Sequence, residues 1–224
     1  MALVYKRNYY YAYFPGILVI TMWLIKFIEF YFRKDFKSLG IFPRDINSLS
    51  GIFFSPFIHA DFKHLIGYTV PIFLLTAAIL FFYRKKAYRI IFFLWIFTGT
   101  SVWLGGRYSW HIGASGLIYS FSSFLFFSGI LSKERKLISI SLLIIFLYGG
   151  LIWGIIPTNG NISWESHLFG FLVGFILAYF LGKEYIDKEL ENVSTNNEEF
   201  VDINCTHQKE YEIKYWFEDS ENNT

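Results

Sequence analysis

Very little in this chain is charged, and nothing in it can be cross-linked internally. One cysteine, Cys205, stands among 224 residues, so no internal disulfide can form and cysteine usage says little about the compartment. Charged residues make up 17% of the chain, against 54% hydrophobic and 22% aromatic residues. A soluble domain needs more charge than that to cover its surface. The composition therefore points to a polytopic membrane protein. No small-residue cleavage site closes the apolar run in MALVYKRNYYYAYFPGILVITMW, which reads as a retained first span rather than a signal peptide. No internal repeat is evident.

Charge is unevenly spread. Residues 183–224 carry 4 Lys and Arg against 12 Asp and Glu, which leaves 16 against 6 for residues 1–182. The apolar part is thus +10 and the tail −8. The positive surplus sits in short loops between apolar segments, as orientation in a bilayer requires, and nucleic-acid binding is a poor reading of it. The tail has the low hydrophobicity and negative charge of a solvated or disordered segment. Within it, FVDINC and YEIKYWF alternate in a way compatible with a small strand pair. Cys205 and His207 are too few ligands for a zinc site, and no metal or cofactor is indicated anywhere.

A bilayer-crossing helix takes about 20 mostly apolar residues. Six segments qualify, at about 13–32, 64–83, 88–105, 114–131, 136–156 and 165–182. The expected architecture is all-α, a six-helix membrane domain over residues 1–182 followed by an acidic cytoplasmic tail over 183–224. Arg84, Lys85, Lys86 and Arg89 follow the second span, and Lys133, Arg135 and Lys136 follow the fourth. The connectors after spans three and five hold only Arg107 and no cation, respectively. By the positive-inside rule both termini are cytoplasmic, and spans two, four and six run the same way.

Three helices running in one direction bring their first turns to one depth. His59 and His64 lie at the start of span two, Ser115 at the start of span four and His167 at the start of span six. Ionisable groups inside a membrane mark function by default. Ser115 sits in GASG, where Gly113 and Gly116 permit unusual dihedrals and close approach, and where the free N–H groups of a helix start can meet a developing oxyanion. On the tetrapeptide alone, a small-residue packing seam is the commoner meaning. His167, Gly170 and Gly174 share one stripe of span six, so a neighbouring helix can approach until an imidazole reaches a hydroxyl, which suits a general base. Tyr119, one turn from Ser115, can pack on that ring or simply fill the core. Glu165 faces away from His167 on the helix and Glu29 is suited to pairing with Lys26, so no carboxylate completes a triad. His111, just before the motif, is a candidate substrate contact, although a histidine on an interfacial loop is more often simply solvated. Trp103, Trp110 and Trp164 suit an interfacial aromatic belt.

GASGLIYS, SHLFGFLVG and HADFKHLIGY together resemble the rhomboid intramembrane serine proteases, and GIFPRDINSLSGIFFSPFIH resembles the membrane-associated first loop of bacterial members. The resemblance covers about residues 13–182. It implies Ser115 as nucleophile and His167 as general base, with Gly113 and Gly116 shaping the nucleophile turn and Tyr119 packing on the imidazole. His64 and His59 match the two histidines of the span-two pattern that lines the oxyanion site. Tyr68 stands where the family usually has Asn, a larger side chain with a single hydroxyl donor. The expected activity is cleavage of transmembrane helices near the outer surface by a Ser-His dyad. The implied setting is the lipid bilayer of a bacterial cytoplasmic membrane, with membrane-protein substrates. The alternative is a weak or inactive relative that binds transmembrane helices. A transporter would show paired repeats about a midplane site, whereas the polar residues here gather near one surface.

Overall fold

The computed structural model describes residues 10–133, 135–147, 154, 156 and 163–182. Among these the α-helices are α1 (Tyr10–Phe32), α2 (Gly51–Phe54), α3 (Phe62–Tyr83), α4 (Ala87–Gly105), α5 (Ser115–Ser132), α6 (Arg135–Leu147) and α7 (Trp164–Leu177). A π-type turn, Ala178–Gly182, prolongs α7. Five of these helices, α1, α3, α4, α5 and α7 with its extension, are long and apolar enough to cross a membrane. They match five of the six expected spans within about three residues at each end. The remaining expected span, 136–156, begins as α6, and its later part lies outside the described residues apart from Gly154 and Ile156. The tail from residue 183, with its suggested strand pair, Cys205 and His207, also lies outside them.

Burial sets the order of the bundle. The spanning stretch of α5 is 72% buried and that of α1 only 17%, so α5 is the central post and α1 a rim helix facing lipid. Around α5 pack α3, α4, α6 and α7. The sequence of α5 explains its place. Small polar residues, Ser120, Ser122, Ser123 and Ser128, are buried along it, and Ser123 Oγ–H donates across to the Phe171 carbonyl of α7 at 2.8 Å. Serines let helices approach closely and can hydrogen-bond where lipid offers no partner.

Glycine brings α5 and α7 into backbone contact. A Cβ at Gly170 would collide with the Gly116 carbonyl, and one at Gly174 with the Ser120 carbonyl. This seam fixes the depth of His167 on α7 against Ser115 on α5.

The long connector between α1 and α3 is not a slack loop. Trp95 Nε1–H donates to the Ile52 carbonyl at 3.0 Å and Trp103 Nε1–H to the Asp45 carbonyl at 2.9 Å. Arg44 donates to the Gly106 carbonyl at 2.9 Å and lies over the Tyr108 ring at 4.1 Å. Ile41 and His111 exchange both backbone hydrogen bonds, at 2.8 and 2.9 Å. Trp103, expected in an interfacial aromatic belt, also ties α4 to this connector. Lys26 and Glu29 pair at 2.7 Å, and Lys26 also donates to the His59 and Ala60 carbonyls, which pins α1 to the segment leading into α3.

Gly170→Ala should force the α5–α7 seam apart, an overpacking cost of about 1–3 kcal/mol, read as a lower thermal unfolding midpoint in detergent. Gly16→Ala, where a Cβ meets nothing within 4 Å, should raise the midpoint slightly through helix propensity. Equal midpoints for the two variants would contradict the seam.

Candidate active site

Ser115 is the first residue of α5, and the turn before it depends on glycine. Gly113 has φ of +98°, in the region L side chains rarely adopt. Its N–H donates to the Ser55 carbonyl at 2.8 Å, so the turn is held by the connector as well as by its own dihedrals. The first N–H groups of α5 lack partners within the helix. Gly116 faces Ser166 of α7, the other side of the same close approach.

His167 is buried on α7. Its Nδ1 lies 2.8 Å from the Gly154 carbonyl. A carbonyl only accepts, so Nδ1 carries the hydrogen and the neutral ring keeps its lone pair on Nε2. The Tyr119 ring stacks on the imidazole, with centroids 4.3 Å apart and planes 12° from parallel. One hydrogen bond and one stacked ring thus fix tautomer and orientation together. Because Tyr119 lies one turn from Ser115 on α5, the stack also brings the imidazole to the serine's face. Both line one cavity of about 530 Å³, together with His59, His64, Tyr68 and Gly113.

Tyr68 reaches from α3 into the cavity that Ser115 lines, with its ring edge toward Gly113. Its ring lies between two histidines, with centroids 5.9 Å from His59 and 6.3 Å from His64. His64 has a partner the sequence reading passed over. Asp61 caps α3, its Oδ1 accepting the His64 N–H at 2.9 Å while Oδ2 lies 2.7 Å from His64 Nδ1. The His64 backbone N–H and then its ring hold the Asp61 carboxyl below the usual carboxylate range. This leaves His64 Nε2 as the free end of the ring. An Asp three residues before a His at a helix start is the signal that would have found the pair.

His111 corrects an expectation. It is buried, 2% exposed, because the connector covers it through the Ile41 pairing. Its Nε2–H donates to the Arg107 carbonyl at 3.1 Å, and its Nδ1 accepts from Ser163, which is in turn bonded to Ser166. Beside this chain, Arg107 Nε lies 3.2 Å from Glu165 Oε1, an ion-pair distance without an aligned hydrogen bond. The loop carrying the serine turn is thus fastened to the first turn of the helix carrying His167. Glu165 does face away from His167, as its spacing implied, and what it faces is Arg107. The sequence alone gave no sign of this contact, which joins residues distant in the chain.

The geometry allows nucleophilic chemistry. It offers a serine at a helix start, a neutral imidazole with a defined lone pair, and donors from backbone and phenol converging on one cavity. Three groups with histidine or carboxylate ligands, as a metal would need, do not cluster among the described residues.

His59 is buried with Nε2 unpartnered, and burial holds its ring down to about 4 against an ordinary 6.5. The unfolded chain takes up that proton first as pH falls, so stability is present above 6.5 and is lost progressively between 6.5 and about 4, by on the order of 3 kcal/mol. Thermal unfolding midpoints in detergent should fall across that window, and His59→Gln should flatten the fall. Parallel profiles for the two proteins would contradict this assignment.

The Rhomboid domain family matches residues 47–184, from the connector before α2 to the end of α7. An uncharacterized protein of Mycobacterium tuberculosis is 31% identical over 172 residues, covering 73% of this chain and 72% of the relative. An uncharacterized protein of Mycobacterium leprae is 31% identical over 179 residues, covering 74% and 71%. The match runs through the helices that carry Ser115, Tyr119 and His167, and the chain belongs to the rhomboid family.

Proposed function

We propose that this integral membrane protein is a serine endopeptidase that cuts transmembrane helices close to the membrane surface. The observation that carries the reading is the state of His167, stacked on Tyr119 and anchored to the Gly154 carbonyl in the cavity that Ser115 also lines. Ser115 Oγ attacks the carbonyl of a locally unwound substrate segment as His167 Nε2 takes its proton. The oxyanion is met by the Ser115 N–H and the Tyr68 hydroxyl, and by His64 Nε2–H when that ring is doubly protonated against Asp61. The same imidazole then protonates the leaving amine, and water, activated by His167, releases the acyl-enzyme. Substrate segments that unwind easily are favoured, since a continuous helix hides its carbonyls in hydrogen bonds. The distribution of Lys and Arg supports an orientation with both termini cytoplasmic, and the bacterial relatives support the cytoplasmic membrane of a bacterium as its site.

One side chain favours a second reading. The bulky Tyr68 ring stands in the cavity that Ser115 lines, so a relative that binds transmembrane helices without turnover is consistent with the same cavity.

A fluorophosphonate probe and a tagged single-span substrate separate the two. Under the protease reading wild type is labelled and cuts, Ser115→Ala and His167→Ala do neither, and Tyr68→Phe slows cutting by about 10²–10³, the usual loss for one oxyanion donor. Intact substrate with wild type, together with cutting by Tyr68→Asn, would mean that the phenol has silenced the site and would establish the binder.

A further inference from the structure

Two recesses at one end of α1 lie outside the chemistry described above. The first, of about 890 Å³, is lined by Arg33, Lys34 and Lys37 and by the rings of Phe30, Tyr31 and Phe62. The second, of about 600 Å³, is lined only by Phe27, Ile28, Phe30, Tyr31, Phe32 and Phe62. Phe30, Tyr31 and Phe62 belong to both, so a hollow whose four cations, Lys26 among them, outnumber its three acids, Glu29, Asp35 and Asp61, adjoins a wholly apolar trough at the end of a membrane helix. Arg33 closes α1 in the left-handed region, φ +49°, and the next residues rejoin the helix end through the Lys34 N–H to Glu29 carbonyl bond at 3.1 Å.

Cations at the end of a spanning helix commonly just reach for water. Here the acids around them are mostly engaged. Glu29 binds Lys26 at 2.7 Å and the Phe36 N–H at 3.0 Å, and Asp61 binds His64. Asp35 accepts the Lys37 N–H at 2.8 Å and is the one carboxylate left facing three exposed cations. The surplus of positive charge suits a phosphodiester, and it disfavours a headgroup that carries its own ammonium. The apolar trough, open on the lipid-facing side where Phe32 is 63% and Tyr31 80% exposed, suits an acyl chain.

We propose that this paired recess binds one anionic phospholipid, its phosphate held by Arg33, Lys34 and Lys37 and one acyl chain laid against Phe30, Tyr31 and Phe62. Lys37, His59, Ala60 and Asp61 line both the cationic recess and the cavity of Ser115. The headgroup therefore rests on a wall shared with the candidate active site. Binding itself does not depend on turnover there and is read without it.

Native mass spectrometry of the full chain in detergent, titrated with phosphatidylglycerol, phosphatidylcholine or glycerol 3-phosphate, tests the assignment. Phosphatidylglycerol should bind at least tenfold more tightly than phosphatidylcholine, and glycerol 3-phosphate should not displace it. The variant carrying Arg33→Gln, Lys34→Gln and Lys37→Gln together should lose at least tenfold in affinity with an unchanged unfolding midpoint, all three side chains being exposed. Arg89→Gln, an exposed cation at the start of α4, should leave binding intact. Equal affinity for the two lipids, undiminished binding by the triple variant, or an equal loss in Arg89→Gln would overturn the site. Displacement by glycerol 3-phosphate would make it a site for free phosphate and would equally overturn it.

Discussion

Everything at the polar end of this bundle depends on how closely α5 and α7 approach. Gly170 and Gly174 set their Cα atoms against the carbonyls of Gly116 and Ser120, a contact that no residue with a Cβ permits. Between membrane helices there is no hydrophobic drive to hold such a pair, and packing and interhelical hydrogen bonds must do so. The Ser123 bond to the Phe171 carbonyl adds one such link beside the seam. Tyr119 and His167 stack because the backbones meet at this distance. A bundle spaced by one methyl group would leave each ring without the other.

A second layer of constraint comes from outside the bundle. The connector between α1 and α3 grips α4 through Trp95 and Trp103, the serine loop through Ile41 and His111, and α1 through Lys26. From the same loop, His111 and Arg107 reach the first turn of α7. The nucleophile turn is thus held on three sides: by the connector through the Gly113 N–H to Ser55 bond, by the base-bearing helix through the seam, and by the loop's own clasp. Polar groups in this layer are buried mostly in pairs, as a site at the edge of lipid demands.

The central features were legible in the sequence because they are written at helical spacing. Five spans could be read from apolar length, and the stripe of His167, Gly170 and Gly174 and the one-turn step from Ser115 to Tyr119 are local arithmetic. What escaped was non-local. His111 looked like a solvated loop residue, since nothing near it announces that Ile41 will cover it or that Ser163, 52 residues on, will bind it. Trp103 carried the composition of a membrane anchor, and only the folded connector supplies the Asp45 carbonyl that it meets. Asp61 escaped as well, although its cap on α3 and its bond to His64 are local and follow from an acid three residues before a histidine.

The Tyr68 ring stands beside both histidines on the wall of the Ser115 cavity. Under the protease reading, an entering chain has to take the room that this phenol fills and offer its hydroxyl the carbonyl to be attacked. Discrimination among membrane helices would then be exercised at the moment of that exchange rather than by the shape of the cavity alone.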